Sequence, residues 1–144
     1  MRPAVIDTNV IVSGVLAGAT DSPNRRIVDA LLVGSVRFVT SEALLAEYRD
    51  VLLRPAIATR HGLTEIEVDE VLAGLVVNAA IRPPSPTEGG DPVPAGDEHV
   101  VSLLRAVPEA VLVTGDRLLA QAIRSWCEVM TPAEFAAGLA PGLA

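Results

Sequence analysis

One stretch sets the fold, Ala4-Val5-Ile6-Asp7-Thr8-Asn9, in which a short apolar run changes abruptly to polar residues. This pattern predicts a buried β-strand that ends just before Asp7. A second stretch of the same form is Val111-Leu112-Val113-Thr114-Gly115-Asp116. Ligands of an open parallel sheet bind outside the carboxyl ends of its strands. We therefore expect Asp7 and Asp116 to lie at the same edge of one sheet.

The rest of the chain predicts helices that alternate with further short strands. The expected elements are a helix from Ser22-Pro23 to Gly34, a strand over 36–40, a helix from Ser41 to about Arg54 that Pro55 breaks, a helix from the capping box Thr64–Glu67 to about Ala79, a helix from Asp97 to about Ala106, a helix over 117–124, a strand over 127–130 and a closing helix from the capping box Thr131–Glu134. This alternation indicates an α/β domain with a mainly parallel sheet. A length of 144 residues is typical of one domain, so we expect a single domain over 1–144.

Residues 83–96 interrupt this alternation. They hold five prolines and three glycines within fourteen residues, which predicts a Pro/Gly-rich loop. A loop of this length in a compact domain is either functional or disordered. Because it adjoins Asp97, it could gate a substrate or contact a partner.

The composition favours a buried sheet and a reducing environment. Half of the residues are hydrophobic and only 3% are aromatic, so the core must be built mainly from Val, Leu, Ile and Ala. The single cysteine, Cys127, excludes a disulfide framework, and a cytoplasmic location is the simplest inference. No apolar run is long enough for a membrane helix, and Asp7 interrupts the N-terminal apolar stretch.

The charge argues against some classes of protein. The net charge is −7, and such an acidic chain is a poor non-specific binder of nucleic acid. A nuclease would need its acids gathered around metal ions and its arginines elsewhere. The chain has no lysine, which argues against receiver domains and haloacid-dehalogenase-type phosphatases, since both place a lysine near the phosphoryl group.

Two further carboxylates lie on predicted helices. Asp97 shares the apolar stripe of its helix with Val100 and Val101, where a carboxylate is costly unless it is paired or binds a metal. Glu47 flanks the buried face of its own helix. The alternatives are that Asp7, Asp97 and Asp116 only cap helices and that Glu47 reaches solvent.

A set of four carboxylates selects hard cations such as Mg²⁺ or Mn²⁺ over Zn²⁺. The sequence has no His/Cys cluster with zinc spacing. We expect His61 at a helix end and His99 on a helix face turned to solvent.

The ordered set of motifs resembles a PIN domain. It comprises Asp7-Thr8-Asn9-Val10, Ser41-Glu42 followed by Glu47, Asp97 at the head of an apolar helix, and Thr114-Gly115-Asp116. The resemblance extends from Val5 to Ala136. Its closing segment, Thr131 to Phe135, is similar to that of bacterial single-domain PIN proteins of the toxin type, the VapC-like ribonucleases.

The resemblance implies a three-layer α/β/α sandwich and metal-dependent hydrolysis of RNA. It implies that one or two Mg²⁺ or Mn²⁺ ions are held by four ligands: Asp7, Glu47, Asp97 and Asp116. Asn9 and Thr114 would orient these carboxylates. In many relatives the segment just before the Asp97 position is more acidic than residues 92–96 are here. The identity of a fifth acidic residue therefore stays open, and Asp91 is the candidate.

The resemblance also implies partners. A cytoplasmic toxin would be neutralised by a small antitoxin protein, and the apolar content allows a homodimer. Arginines must contact the RNA phosphates, and Arg117 is either such a contact or a solvent-facing helix residue. The open alternatives are a catalytically inactive binding module of the same fold and a nuclease that acts on DNA.

Overall fold

The computed structural model describes residues 2–83 and 93–139. Within them the chain forms a five-stranded, all-parallel sheet and eight helices. The strands are β1 Ala4–Ile6, β2 Phe38–Thr40, β3 Ala79–Ile81, β4 Val111–Val113 and β5 Val129–Met130. The helices are α1 Thr8–Leu16, α2 Pro23–Val33, α3 Glu42–Leu52, α4 Pro55–His61, α5 Glu65–Val76, α6 Glu98–Ala106, α7 Arg117–Ile123 and α8 Pro132–Ala137.

The order of the strands creates the crevice where a ligand would bind. The order is β3-β2-β1-β4-β5, so the chain runs outward from β1 to β3 and then returns to the other side of β1. The direction of winding reverses between β1 and β4, and ligands of such sheets bind at this switch point. The register pairs Ile6 with Val113, so Asp7 and Thr114 follow side by side at this edge.

The burial of the strands confirms the predicted three-layer α/β/α sandwich. Every residue of β1, β2 and β4 is buried. Because successive strand residues point to opposite faces of a sheet, both faces must be covered. The helices provide that cover, and the core that results is built mainly from Val, Leu and Ile, with Phe38 and Tyr48 as its largest side chains.

The capping motifs explain most helix boundaries. Ser22 accepts a hydrogen bond from the backbone N–H of Arg25 and begins α2, which ends at Gly34 with φ 77°. Both predicted capping boxes are present, so α5 begins after Thr64 and α8 after Thr131. His61 is the last residue of α4, as expected for a helix end.

Two elements differ from the prediction. Pro55 does not simply break a helix, because it is the first residue of α4, a position where its missing N–H costs nothing. The helix predicted to reach Ala79 ends at Val76, and residues 79–81 form the edge strand β3. Its sequence Ala-Ala-Ile carries little strand preference, so its pairing with β2 is what makes it a strand.

Two further predictions concern the loop over 83–96 and the absence of a membrane helix. Most of the predicted loop over 83–96, residues 84–92, lies outside the described residues. Pro83 and residues 93–97 are described, and they contain no helix or strand. Among the described residues, no helix combines the length and apolarity that crossing a bilayer requires.

Gly14 allows α1 and α2 to pack closely. A Cβ atom at this position would lie 2.4 Å from the Val28 Cγ2 atom and 2.7 Å from the backbone oxygen of Asn24. The backbone contact cannot be relieved by a side-chain rotation. Because α1 begins at the carboxyl end of β1, this packing also fixes the helix that lies beside the crevice.

We expect Gly14→Ala to lower the free energy of unfolding by about 1–3 kcal/mol, the usual cost of overpacking. Gly74→Ala is the matched control, since Gly74 is also in a helix and its Cβ would meet only the flexible Leu32 side chain, at 2.9 Å. Both changes gain helix preference, so the control should be neutral or stabilising. Urea unfolding of the two variants measures the difference, and equal stabilities would contradict this packing argument.

Candidate active site

Asp7 is held at the carboxyl end of β1 by three hydrogen bonds. Only 5% of the residue is exposed, and within the described residues no other charged residue is buried to this degree. Its Oδ1 accepts from the Thr8 backbone N–H at 2.9 Å. Its Oδ2 accepts from the Thr114 hydroxyl at 2.6 Å and from the Asn9 amide at 3.1 Å. Burial raises the pKa of Asp7, and the Glu47 and Asp116 charges add to the rise.

Thr114 and Asn9 join the ends of β1 and β4. The Thr114 hydroxyl donates to Asp7 and accepts from the Asp116 backbone N–H at 3.0 Å. Asn9 donates to Asp7, and its Oδ1 accepts from the Gly115 N–H at 3.3 Å. Each side chain therefore contacts both strand ends, which fixes the relative positions of Asp7 and Asp116.

Asp116 caps a helix and still lies at the crevice. Its Oδ1 accepts from the backbone N–H groups of Leu118 and Leu119 at 3.0 and 3.2 Å, which makes it the N-cap of α7. Asp7 is the N-cap of α1, but its Oδ1 accepts only from the N–H of the first helical residue, Thr8. The capping interpretation is thus correct for both residues, but it accounts for one oxygen of each carboxylate.

Asp97 behaves differently. It occupies the N-cap position of α6, but its side chain makes no capping hydrogen bond. The capping alternative is therefore wrong for this residue. Its pKa is raised from 3.8 to about 6, first by burial and then by the charges of Asp7, Asp116 and Glu47. All three of the other predicted site acids therefore help to raise the pKa of Asp97.

Tyr48 anchors the helix that carries Glu47. The side chain is fully buried, and its hydroxyl donates to the backbone oxygen of Ile6, the residue before Asp7. This contact attaches α3 to the end of β1 and so places Glu47 beside the crevice. One signal in the sequence could have indicated this role, because the only tyrosine of the chain directly follows a predicted site acid.

The sequence interpretation misplaced His99. It does not face solvent, since its side chain is 26% exposed and its Nε2 forms an ion-pair contact with the Glu47 carboxylate. The prediction considered only the apolar stripe of α6 itself. The neighbouring helix α3 packs against α6 and covers part of the face that carries His99.

The structure brings all four predicted acids to one place. Asp7, Glu47, Asp97 and Asp116 line a cleft of about 410 Å³, together with Arg60 and residues of α1, α3 and α4. We call this cavity the acidic cleft. Among the described residues, no three His, Cys, Asp or Glu side chains converge closely enough to form a metal site. Asp91, the candidate fifth acid, lies outside the described residues.

The donor chemistry of the acidic cleft nevertheless fits a hard divalent cation. All four acids are oxygen donors, which Mg²⁺ and Mn²⁺ prefer. The Oε2 atom of Glu47 is buried and receives no hydrogen bond, although it contacts the His99 ring. Since the mutual repulsion of the acids raises the pKa of Asp97, a cation between them would remove a cost that the protein otherwise carries.

The fold and the acidic cleft define an α/β protein with a carboxylate site at the switch point of its sheet. The family model described as the PIN domain matches residues 3–118, a range that includes all four acids. The chain therefore belongs to the PIN-domain family, whose members are generally nucleases, and the expected family is confirmed. A comparison with curated proteins found no match. The narrower VapC-like assignment stays a prediction.

The raised pKa of Asp97 predicts a pH dependence for the metal-free protein. The folded state holds the Asp97 proton more tightly than the unfolded chain, whose carboxyl has a pKa near 3.8. The contribution of Asp97 to stability is therefore neutral at low pH and becomes unfavourable as the pH rises from about 4 to about 6. We expect Asp97→Asn to gain stability relative to wild type across this window.

Urea unfolding in EDTA between pH 4 and pH 7 measures this difference. Asp97 suits the test better than Asp7, because both Asp7 oxygens accept protein hydrogen bonds that an amide could not all replace. Glu70→Gln, which changes an exposed acid outside the cleft, is the control and should show no such gain. A stability difference that stays constant with pH would rule out the proposed repulsion at Asp97.

Proposed function

We propose that this protein is a metal-dependent endoribonuclease whose acidic cleft binds one or two Mg²⁺ or Mn²⁺ ions. The observation that carries the proposal is the meeting of four acids, from four separate chain segments, at the switch point of a sheet in a nuclease family. The ligands would be Asp7, Glu47, Asp97 and Asp116. When bound, the metal supplies charge neutralisation and lowers the pKa of a bound water.

The residues of the chain supply position. Thr114 and Asn9 donate to the Asp7 Oδ2 atom and the Thr8 N–H donates to Oδ1, and the capping bonds of Asp116 fix its orientation. Tyr48 and His99 hold Glu47 from two sides, one through the helix backbone and one through the carboxylate. Such preorganisation lets the cleft bind charge without rearranging at the moment of reaction. Water attacks the phosphorus in line, and the 3′ oxygen leaves, so the products carry a 5′-phosphate and a 3′-hydroxyl.

We further propose that the protein is the cytoplasmic toxin of a toxin–antitoxin pair. The support is the similarity of its closing segment to that of bacterial single-domain PIN proteins. An antitoxin or a second copy would cover apolar side chains, and Val33 and Val77 are 68% and 77% exposed on α2 and after α5.

Expression in a bacterium should arrest growth, and Asp97→Asn should relieve the arrest; growth unaffected by the wild-type chain argues against a toxin.

Purified protein should cleave single-stranded RNA in Mg²⁺ or Mn²⁺ and lose this activity in EDTA. Asp97→Asn should abolish cleavage, because it removes a carboxylate that makes no capping bond. Thr114→Val should lower activity by roughly 10–100-fold, the usual cost of losing a group that orients a ligand. Glu70→Gln is the control and should be as active as wild type.

Gel analysis of labelled RNA, with a parallel DNA substrate, measures these rates. Cleavage of DNA but not of RNA would show that the protein is a DNA-directed nuclease instead of a ribonuclease. Binding of RNA without cleavage in any metal would favour an inactive binding module.

Metal should also stabilise the fold. A ligand that binds only the folded state at about 100 times its Kd adds roughly 2.7 kcal/mol, so Mg²⁺ or Mn²⁺ should raise Tm. The rise should shrink in Asp97→Asn and persist in Glu70→Gln. Thermal melts at matched ionic strength separate this effect from screening, and a Tm that is indifferent to metal in all three proteins would speak against metal binding in the cleft.

A further inference from the structure

The net charge of −7 poses a problem for any protein that binds RNA, since phosphate contacts require cations. Several of the eleven arginines already have partners. Ion pairs involve Arg2, Arg25, Arg49 and Arg54, and Arg105 lies 3.7 Å over the ring of Trp126. Arginines that are committed in this way contribute little to an approaching phosphate group.

Three other arginines lie where a substrate of the acidic cleft would pass. Arg60 lines the acidic cleft from α4, while Arg117 and Arg124 line an adjoining groove beside α7. All three are exposed, and within the described part of the chain none of them forms an ion pair. No close ion pair therefore holds these three charges, although the Arg124 charge helps to lower the pKa of Glu134 in the same groove.

The adjoining groove is lined by two arginines and a glutamine that can contact a ligand. We call it the α7 groove; its volume is about 460 Å³. Arg117, Gln121 and Arg124 follow the spacing i, i+4, i+7, which places them on one face of α7. With a rise of 1.5 Å per residue, the two arginines are roughly 10 Å apart along the helix, enough to contact two different phosphates. Thr131 and Glu134 also line the groove.

The α7 groove adjoins the acidic cleft at Asp116. Asp116 lines both cavities, and it also lines a third one with Asn9 and Gly115. A chain that follows the α7 groove therefore arrives at the predicted metal ligands. Arg60 lines the acidic cleft but not the α7 groove, so cations from two different helices flank the acids.

We propose that the α7 groove is a phosphate-binding subsite for single-stranded RNA. Arg117 and Arg124 contact phosphates on one side of the scissile bond, Gln121 faces the same strand, and Arg60 contacts the strand on the other side of the acids. The inference rests on the proposed function, whose substrate path it assigns. It explains how an acidic protein binds RNA, because the few available cations are concentrated along one path.

The test measures binding separately from cleavage. A fluorescein-labelled, mixed-sequence single-stranded RNA is titrated by anisotropy in Mg²⁺ against Asp97→Asn protein, which leaves the RNA intact, across a series of NaCl concentrations. Adding Arg117→Ala and Arg124→Ala should raise the Kd for RNA by about tenfold or more. It should also reduce the slope of log K against log salt by about 1.4, since each lost phosphate contact removes roughly 0.7 for single strands.

Two comparisons make the result specific to the groove. Arg2→Ala with Arg82→Ala changes the net charge equally but affects residues that line neither cavity, and it should leave the slope unchanged. Arg117→Lys with Arg124→Lys keeps the charge and should restore most of the slope. Because these arginines are exposed, the variants should fold, and thermal melts check this.

The outcomes separate the inference from the proposed function. In otherwise wild-type protein, the double alanine change should raise KM for RNA cleavage more than it lowers kcat. Equal losses in the groove variant and the Arg2/Arg82 control would overturn the groove and leave the nuclease standing. Specific loss of binding with no cleavage by the wild type would support the groove and reject the nuclease. A change in oligomeric state without a change in RNA binding would assign the α7 groove to a protein partner instead.

Discussion

The hydrogen bond from the Thr114 hydroxyl to the Asp7 carboxylate holds the site together. It joins the carboxyl ends of β1 and β4, the two strands between which the winding of the sheet reverses. A second bond on the same hydroxyl, from the Asp116 N–H, brings the next acid into a fixed position. Both partners are buried, so the bond forms where water competes little and where leaving either group unpaired would be costly.

The site places acidic side chains where their ionised forms are disfavoured. Burial and like charge both disfavour the ionised acids, which is why the pKa values of Asp7 and Asp97 are raised. The surrounding hydrogen bonds to Asp7 offset part of this cost, whereas the Asp97 side chain makes no capping bond. Perturbed acids in a cleft are typical of functional sites, since a purely structural role would not require their mutual repulsion.

Around the acidic cleft, the acidic and the basic side chains occupy separate positions. The acids gather at the switch point, and the arginines near them, on α4 and α7, lie to either side without forming ion pairs among the described residues. Elsewhere Arg2, Arg25, Arg49 and Arg54 pair with surface carboxylates, and such exposed pairs contribute little to stability. This arrangement would reconcile a strongly negative net charge with the proposed phosphate ligand, because local potential rather than net charge governs binding in a cleft.

The sequence alone determined the α/β class, most helix starts and the four acids, because these depend on local patterns: apolar runs that end in polar residues, capping boxes and a carboxylate on an apolar stripe. The strand β3, the contact of His99 with Glu47 and the Tyr48 anchor required the tertiary structure. Each depends on a neighbour distant in the chain, namely β2, α3 and β1. The local sequence of Ala79–Ile81 or His99 carries no information about that neighbour, so only packing could decide where these residues lie.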